Sequence, residues 1–227
     1  MTKTVLDNGD IAIATLRKPS VLDDLKAKYP SSRLHILKLD VTNKDDIVAA
    51  FNYAEEKLGR IDIVFNNAGH TLMAEIEGTP DEVAKKMFDV NFWGAMNVSK
   101  ETVRFFREVN NPQGGKLWNA SSTAGIFPFA SMGYYSASKH GIIPGVVGED
   151  HSMTVFFLSA LEGATEALAS ELDPKWNIKV GTIAFHWKRS NIRKRSLFYN
   201  LAASRPEFWN QNPRPNSQST LPTRTPC

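Results

Sequence analysis

Cysteine is all but missing from this chain: of 227 residues, only Cys227 carries a thiol. A disulfide framework and a thiolate metal site are thereby excluded, and a reducing, cytoplasmic setting fits best. Long apolar runs are missing too. The most apolar window, MTVFFLSAL at 153–161, falls well short of the ~20 residues a membrane span needs. The opening residues, MTKTVLDNGD, lack the apolar core of a secretory signal. A membrane protein, a secreted scaffold and a metal centre are therefore not expected. Acidic residues are scarce towards the other end, where 186–227 holds eight Lys/Arg and a single acid, Glu207, within a chain of net charge +3. Such a stretch can favour nucleic acid or an anionic surface. It has neither the aromatic-basic pattern of an RNA module nor a helix-turn-helix signal, so nucleic acid is not an expected partner. The segment reads as a basic, poorly ordered tail behind one domain over 1–185, an ordinary size for a single core.

What is present is an alternation of strand-like and helix-like segments. KTVL at 3–6, IAIATL at 11–16 and RLHILKLDV at 33–41 read as strands. Residues 43–58 carry Ile47, Phe51, Ala54 and Leu58 at helical spacing, with Asn43 or Thr42 as N-cap and Gly59 as the stop. IDIVFNNAG gives a buried strand running into a turn. A long helical stretch follows from Thr79, expected as its cap, with Pro80 in the first turn. KLWNASS is another strand, and WNIKV begins a further one. This order predicts an α/β fold, a doubly wound parallel sheet of Rossmann-like type joined by right-handed crossovers. Ligands of such sheets bind beyond the carboxyl ends of the strands, and Asp40, Asn66-Asn67 and Ser121-Ser122 all fall there.

Within YSASK, Tyr135 and Lys139 stand one helical turn apart. A phenol is a poor acid-base group near neutrality, and a neighbouring ammonium favours its ionised form. Ser122, at a strand end thirteen positions earlier, adds a hydroxyl donor. Taken with Asp40-Val41, NNAG at 66–69, Asn91 in NFWG and LEGATEALASEL at 161–172, these motifs resemble the short-chain dehydrogenase/reductase family. The match extends over roughly residues 3–180. The resemblance implies hydride transfer between NAD(P)(H) and a small or lipophilic carbonyl or alcohol. Tyr135 would be the general acid or base and Lys139 its partner, also holding the nicotinamide ribose. Ser122 would hydrogen-bond the substrate oxygen, and Asn91 would seat a water of the proton relay. Asp40 and Val41 would lie against the adenine, and Asn67, Ala68 and Gly69 would form the turn under the cofactor. Arg17, followed by Lys18, points to the 2′-phosphate of NADP, with NAD as the alternative. The family often pairs through the helix bearing the Tyr-Lys motif, so a homo-oligomer is expected.

Three departures from the family pattern stand out. No TGxxxGxG phosphate loop follows a first strand; KTVL runs directly into DNGD. The sheet is thus expected to be incomplete at the N-terminus, without the backbone N–H cradle for a pyrophosphate. A catalytically impaired relative that binds no cofactor is the alternative reading. Residues 141–159, rich in glycine and holding Pro144, interrupt what would be one helix from YSASKH into ALEGATEALASEL. This insert reads as a retained intron, since codons for Gly141 and Ser159-Ala160 can supply the GT and AG dinucleotides. Encoding DNA that lacks those dinucleotides at the junctions would leave the competing reading, a true lid or partner-binding insertion. The Pro-Gly turn and the Thr that the family places after its sixth strand are replaced by GTIAFHWKRSNIRKRSLF.

Overall fold

The computed structural model describes residues 1–122, 124, 129–139, 141–142, 157–158, 160–185 and 199–203. The chain is an α/β protein around a six-stranded sheet. Its elements are α1 (Thr2–Asp7), β1 (Ile11–Leu16), α2 (Asp23–Lys26), β2 (Leu34–Lys38), α3 (Lys44–Leu58), β3 (Ile63–Asn66), α4 (Asp81–Phe88), α5 (Ala95–Glu108), β4 (Gly115–Ser122), α6 (Gly133–Lys139), β5 (Gly141–Ile142), β6 (Phe157–Leu158), α7 (Ala160–Glu171), β7 (Ile178–Phe185) and β8 (Tyr199–Ala203). Side chains of β1 alternate between two cores. Ile13 joins Ile47, Phe51, Val64, Phe105, Phe106 and Leu117 on the face covered by α3 and α5. Ala12, Ala14 and Leu16 join Leu6, Leu22 and Leu34 on the opposite face. Burial on both faces explains why IAIATL reads as a near-continuous apolar run.

Local signals hold where one residue decides. Asn43 caps α3, its side chain accepting from the Asp45 N–H at 2.9 Å, and Gly59 ends the helix with φ of 68°. Thr79 does not cap the next helix. Its hydroxyl donates to the Glu75 carbonyl at 2.5 Å, and Pro80 takes the cap position without a side-chain bond. KTVL is not a strand either: it lies in α1, with Thr2 and Leu6 buried one turn apart. Arg33 holds the end of that helix by donating to the carbonyls of Leu6 at 2.5 Å and Asp10 at 2.9 Å. Four residues are too few for periodicity to separate the two states, and packing against β1 decided.

The strands run β2-β1-β8-β3-β4-β7. β1 pairs with β2, β3 with β4, and β4 with β7, all parallel, while β8 pairs antiparallel with both β1 and β3. In the common doubly wound order 3-2-1-4-5-6, the place between those two strands belongs to strand one. Here it holds β8, from the stretch read in the sequence as a tail without elements. The physical reason is that β1 and β3 would otherwise each present an unpaired edge inside the sheet. Reversal of β8 puts Tyr199 opposite Thr15, so the chain leaves the sheet at Phe185 and re-enters it at Tyr199 on the same, carboxyl edge.

The long helical stretch is also broken. Between α4 and α5 the backbone widens into a π-type turn over Asp89–Gly94. π-bulges commonly mark functional sites. A Cβ added to Gly94 would lie 2.6 Å from Val41 Cγ2, so this turn docks tightly on the end of β2. Gly94→Ala is expected to destabilise the fold by about 1–3 kcal/mol, read as a lower denaturation midpoint at unchanged m. An unmoved midpoint would show that Val41 can yield. Farther on, α6 is described as far as Lys139. Gly141 then pairs antiparallel with Leu158, which brings the ends of the insert together before α7 begins at Ala160. Residues 143–156 of the insert lie outside the described residues.

Candidate active site

The sheet's carboxyl edge collects the polar residues singled out above. Asn91 sits in the π-type turn and is fully buried. Its Oδ1 accepts from the His70 N–H at 2.9 Å, and its Nδ2 donates to the His70 carbonyl at 3.0 Å and to Ser138 Oγ at 3.1 Å. Ser138 Oγ in turn donates to the Tyr135 carbonyl at 2.7 Å. One amide therefore ties the loop after β3 to the helix carrying Tyr135 and Lys139. Both Nδ2 hydrogens are used, so the side chain is committed to positioning, with one Oδ1 lone pair to spare. Neither His70 nor Ser138 stands out in the sequence, because each contributes only where the fold brings it.

Lys139 ends α6, is only 5% exposed, and donates from Nζ to the Ala120 carbonyl at 2.9 Å. This bond docks α6 on β4 two residues before Ser122. Burial pushes the amine down to about 8, with the Glu162 carboxylate acting in the opposite direction. Ser122, the last residue of β4, is half-buried, and its Oγ accepts from the Ala124 N–H at 3.2 Å. Tyr135 is half-buried on α6, one turn before Lys139. Ser121, passed over in favour of Ser122, keeps a buried hydroxyl with no partner among the described residues.

Below the site, a network of amides and hydroxyls joins four elements. Asn66 Nδ2 donates to the Ala95 carbonyl and to Asn119 Oδ1, both at 2.9 Å. Asn119 Nδ2 reaches Ser99 Oγ at 3.3 Å and Thr165 Oγ1 at 3.0 Å. Strands β3 and β4 are so pinned to α5 and α7, which fixes where Ser122 and Lys139 stand. Neither Asn119 nor Thr165 is singled out by the sequence, although Thr165 falls within LEGATEALASEL; a buried amide in KLWNASS is the hint.

At the other end of the edge, Arg17 is exposed just past β1, and its charge acts on both Asp40 and His70. Burial alone would raise the Asp40 carboxyl. The two hydrogen bonds from Thr42, at 3.0 and 2.8 Å, with the Arg17 and Lys38 charges, outweigh it and hold the group below the usual range. Burial, then Arg17, lowers His70. Val41 is buried against Gly94, so its backbone, not its side chain, is what the edge can offer a ligand. Asn67, Ala68 and Gly69 form the turn after β3. A Cβ on Gly69 would stand 3.0 Å from Asn91 Oδ1 and 3.9 Å from Lys139 Nζ, so the bare glycine lets the turn lie close against both side chains. The Lys139 ammonium and the Asn91 amide are hydrogen-bonding groups of the kind a ribose takes, and Arg17 and Asp40 are those an adenosine's ribose takes. The pyrophosphate between them has no glycine-rich loop in this sequence. No cluster of potential metal ligands occurs among the described residues.

A family model described as short chain dehydrogenase matches residues 1–145. An uncharacterized oxidoreductase of Schizosaccharomyces pombe is 32% identical over 198 residues, covering 85% of this chain and 59% of that protein. The NADPH-dependent 1-acyldihydroxyacetone phosphate reductase of Saccharomyces cerevisiae is 25% identical over 202 residues, 84% of this chain and 66% of its own length. Among solved structures, a short-chain dehydrogenase from Streptomyces avermitilis superimposes with a TM-score of 0.67 at 27% identity, covering 86% of this chain and 63% of that one. The chain thus spans less than two thirds of each of these relatives.

Proposed function

The chain belongs to the short-chain dehydrogenase family, and on that premise we propose that it interconverts a carbonyl and an alcohol with NADP(H). The dinucleotide, when bound, supplies or takes the hydride at the substrate carbon. Tyr135 gives its hydroxyl proton to the substrate oxygen in reduction and recovers it in oxidation. Ser122 donates a hydrogen bond to the same oxygen. Lys139 would hold the nicotinamide ribose, and its ammonium replenishes the proton on Tyr135. Asn91 orients the loop and α6, with its spare Oδ1 lone pair for a relay water. Asp40 and Val41 would lie against the adenine, and Asn67, Ala68 and Gly69 would form the turn under the cofactor. The observation that carries this reading is the buried Lys139 amine, one turn after Tyr135 on α6 and bonded to β4 two residues before Ser122.

Arg17 favours NADPH over NADH, and the yeast relative named as NADPH-dependent supports the same choice. The substrate belongs to the small or lipophilic carbonyls and alcohols, the setting is cytoplasmic, and pairing with a second copy through α6 belongs to the same reading. Titration of NADPH followed by fluorescence or thermal shift should reveal micromolar binding. No binding at millimolar NADPH overturns the proposal and leaves a non-catalytic relative. Arg17→Glu should weaken NADPH about 10–100-fold relative to NADH, the loss of one or two charge-assisted bonds. An unchanged preference would assign the 2′-phosphate to another group.

A further inference from the structure

The bonds between β2 and β1 run out just before Asp40. The Leu39 N–H donates to the Leu16 carbonyl at 3.1 Å, and Leu16 is the last residue of β1. The next amide, that of Asp40, lies past the paired residues of the two strands. It donates instead to Asp46 Oδ2 in the first turn of α3, at 3.0 Å. The Asp40 carbonyl accepts from the Asn43 N–H, also at 3.0 Å. Its carboxylate takes both Thr42 donors, the N–H at 3.0 Å and Oγ1 at 2.8 Å, on Oδ1 alone. Both backbone groups of Asp40 are thus committed, and Oδ2 is the oxygen left to accept from a ligand. We propose that Asp46 is a positioning residue for the adenosine end of the cofactor site, its carboxylate holding the Asp40 peptide so that Asp40 Oδ2 stays presented at the sheet's carboxyl edge. The assignment rests on the reading of Asp40 as an adenosine contact, whereas the hold on the Asp40 peptide belongs to the fold.

The chemistry of Asp46 suits that task. A carboxylate accepting a backbone N–H makes a charge-assisted bond, stronger than a neutral acceptor would. The first turn of a helix favours the negative charge. Asn43 already caps α3 through the Asp45 N–H, so the Asp46 side chain can turn to the strand end. Its ion pair with Lys38, at 3.5 Å, contributes little, because the lysine side chain is 67% exposed against 18% for Asp46. Helix α3 is itself fixed by Ile47, Ala50, Phe51 and Ala54 in the core. Asp46 therefore passes the position of a core-anchored helix to a loop residue, and sites held by rigid elements keep their geometry better than sites on loops. Val41 receives a second hold from the π-type turn at Gly94.

The test uses the full chain, free of cofactor, with amide hydrogen exchange read by NMR. The Asp40 amide should be protected in the parent, should exchange about tenfold faster in Asp46→Ala, and should regain most of its protection in Asp46→Asn, which keeps an acceptor oxygen at the same reach. Adenosine 5′-monophosphate titrated into the same samples should bind Asp46→Ala about 5–10-fold more weakly, and Asp46→Asn within about twofold of the parent. In carbonyl reduction, KM for NADPH should rise in Asp46→Ala at unchanged kcat, a split that loss of stability alone does not produce. An Asp46→Ala protein that binds the nucleotide as the parent does overturns the proposal and leaves the cofactor reading standing. Should Asp46→Ala fail to fold, Asp46→Ser, whose hydroxyl is too short to reach the Asp40 N–H, decides by the same readings. A parent that binds neither adenosine 5′-monophosphate nor NADPH sinks the cofactor reading. Faster Asp40 exchange in Asp46→Ala then still upholds the hold on Asp40, and unchanged exchange overturns that as well.

Discussion

Tyr135→Phe is expected to reduce turnover by about 10²–10⁴-fold, the range general acid-base catalysis contributes, while leaving NADPH affinity within a few-fold of the parent. The substitution deletes one oxygen. Tyr135 is held on α6 by contacts its hydroxyl does not make: the backbone carbonyl takes the Ser138 hydroxyl, and Lys139 ties the helix to Ala120. Asn91, His70 and Gly69 should therefore keep their places, and the hydrogen-bonding groups for the ribose should persist. Steady-state kinetics with a generic carbonyl, paired with cofactor titration, separates the two effects. A loss confined to kcat fits a group that acts on the reacting oxygen. Retained kcat would remove Tyr135 from the chemistry, and equal loss of cofactor binding would make it a structural residue.

Lys139→Met should stabilise the protein near neutral pH while ending NADPH binding. The amine's ordinary value is 10.5, and burial, partly offset by Glu162, lowers it to about 8 in the folded chain. Between those values the unfolded chain holds more protons than the folded one, so this residue's contribution to stability rises with pH across that window. Below pH 8 burial of the ammonium costs the full amount, about 3 kcal/mol at 1.36 kcal/mol per unit. The variant escapes that cost but forgoes the bond to the Ala120 carbonyl, about 1 kcal/mol. A net gain of about 2 kcal/mol at pH 7 follows. Urea unfolding of both proteins at pH 7, 8, 9 and 10 measures it: the gap should shrink steadily above pH 8 and vanish or reverse towards pH 10.5. A gap that stays constant with pH would show that the amine does not titrate in this window. Stability given up at a buried charge is a recurrent feature of functional sites.

These two residues were legible before any fold was known, because their relation is local. Four residues on a helix make one turn whatever surrounds it, so YSASK places Tyr135 beside Lys139 by backbone geometry alone. The same holds for Asn43 as a cap and Gly59 as a stop, where a side-chain oxygen or a positive φ suffices. The strand pattern also carried Ser122 and the NNAG turn to one edge, since a parallel sheet delivers every strand end to the same side.

Sequence by itself therefore determined the alternating α/β order and the edge on which the polar residues gather. Tertiary structure alone decided that residues 2–7 coil into a helix and that β8 enters the sheet reversed. It also decided that Asn91 spends its amide on His70 and Ser138, and that Lys139 is buried with its amine on the Ala120 carbonyl. The division has one cause. A turn, a cap or a periodic face is settled among neighbours within a few residues. Which backbone edge is filled, and which carbonyl a buried amine meets, depends on segments far apart in the chain, and the requirement that interior polar groups find partners selects among them.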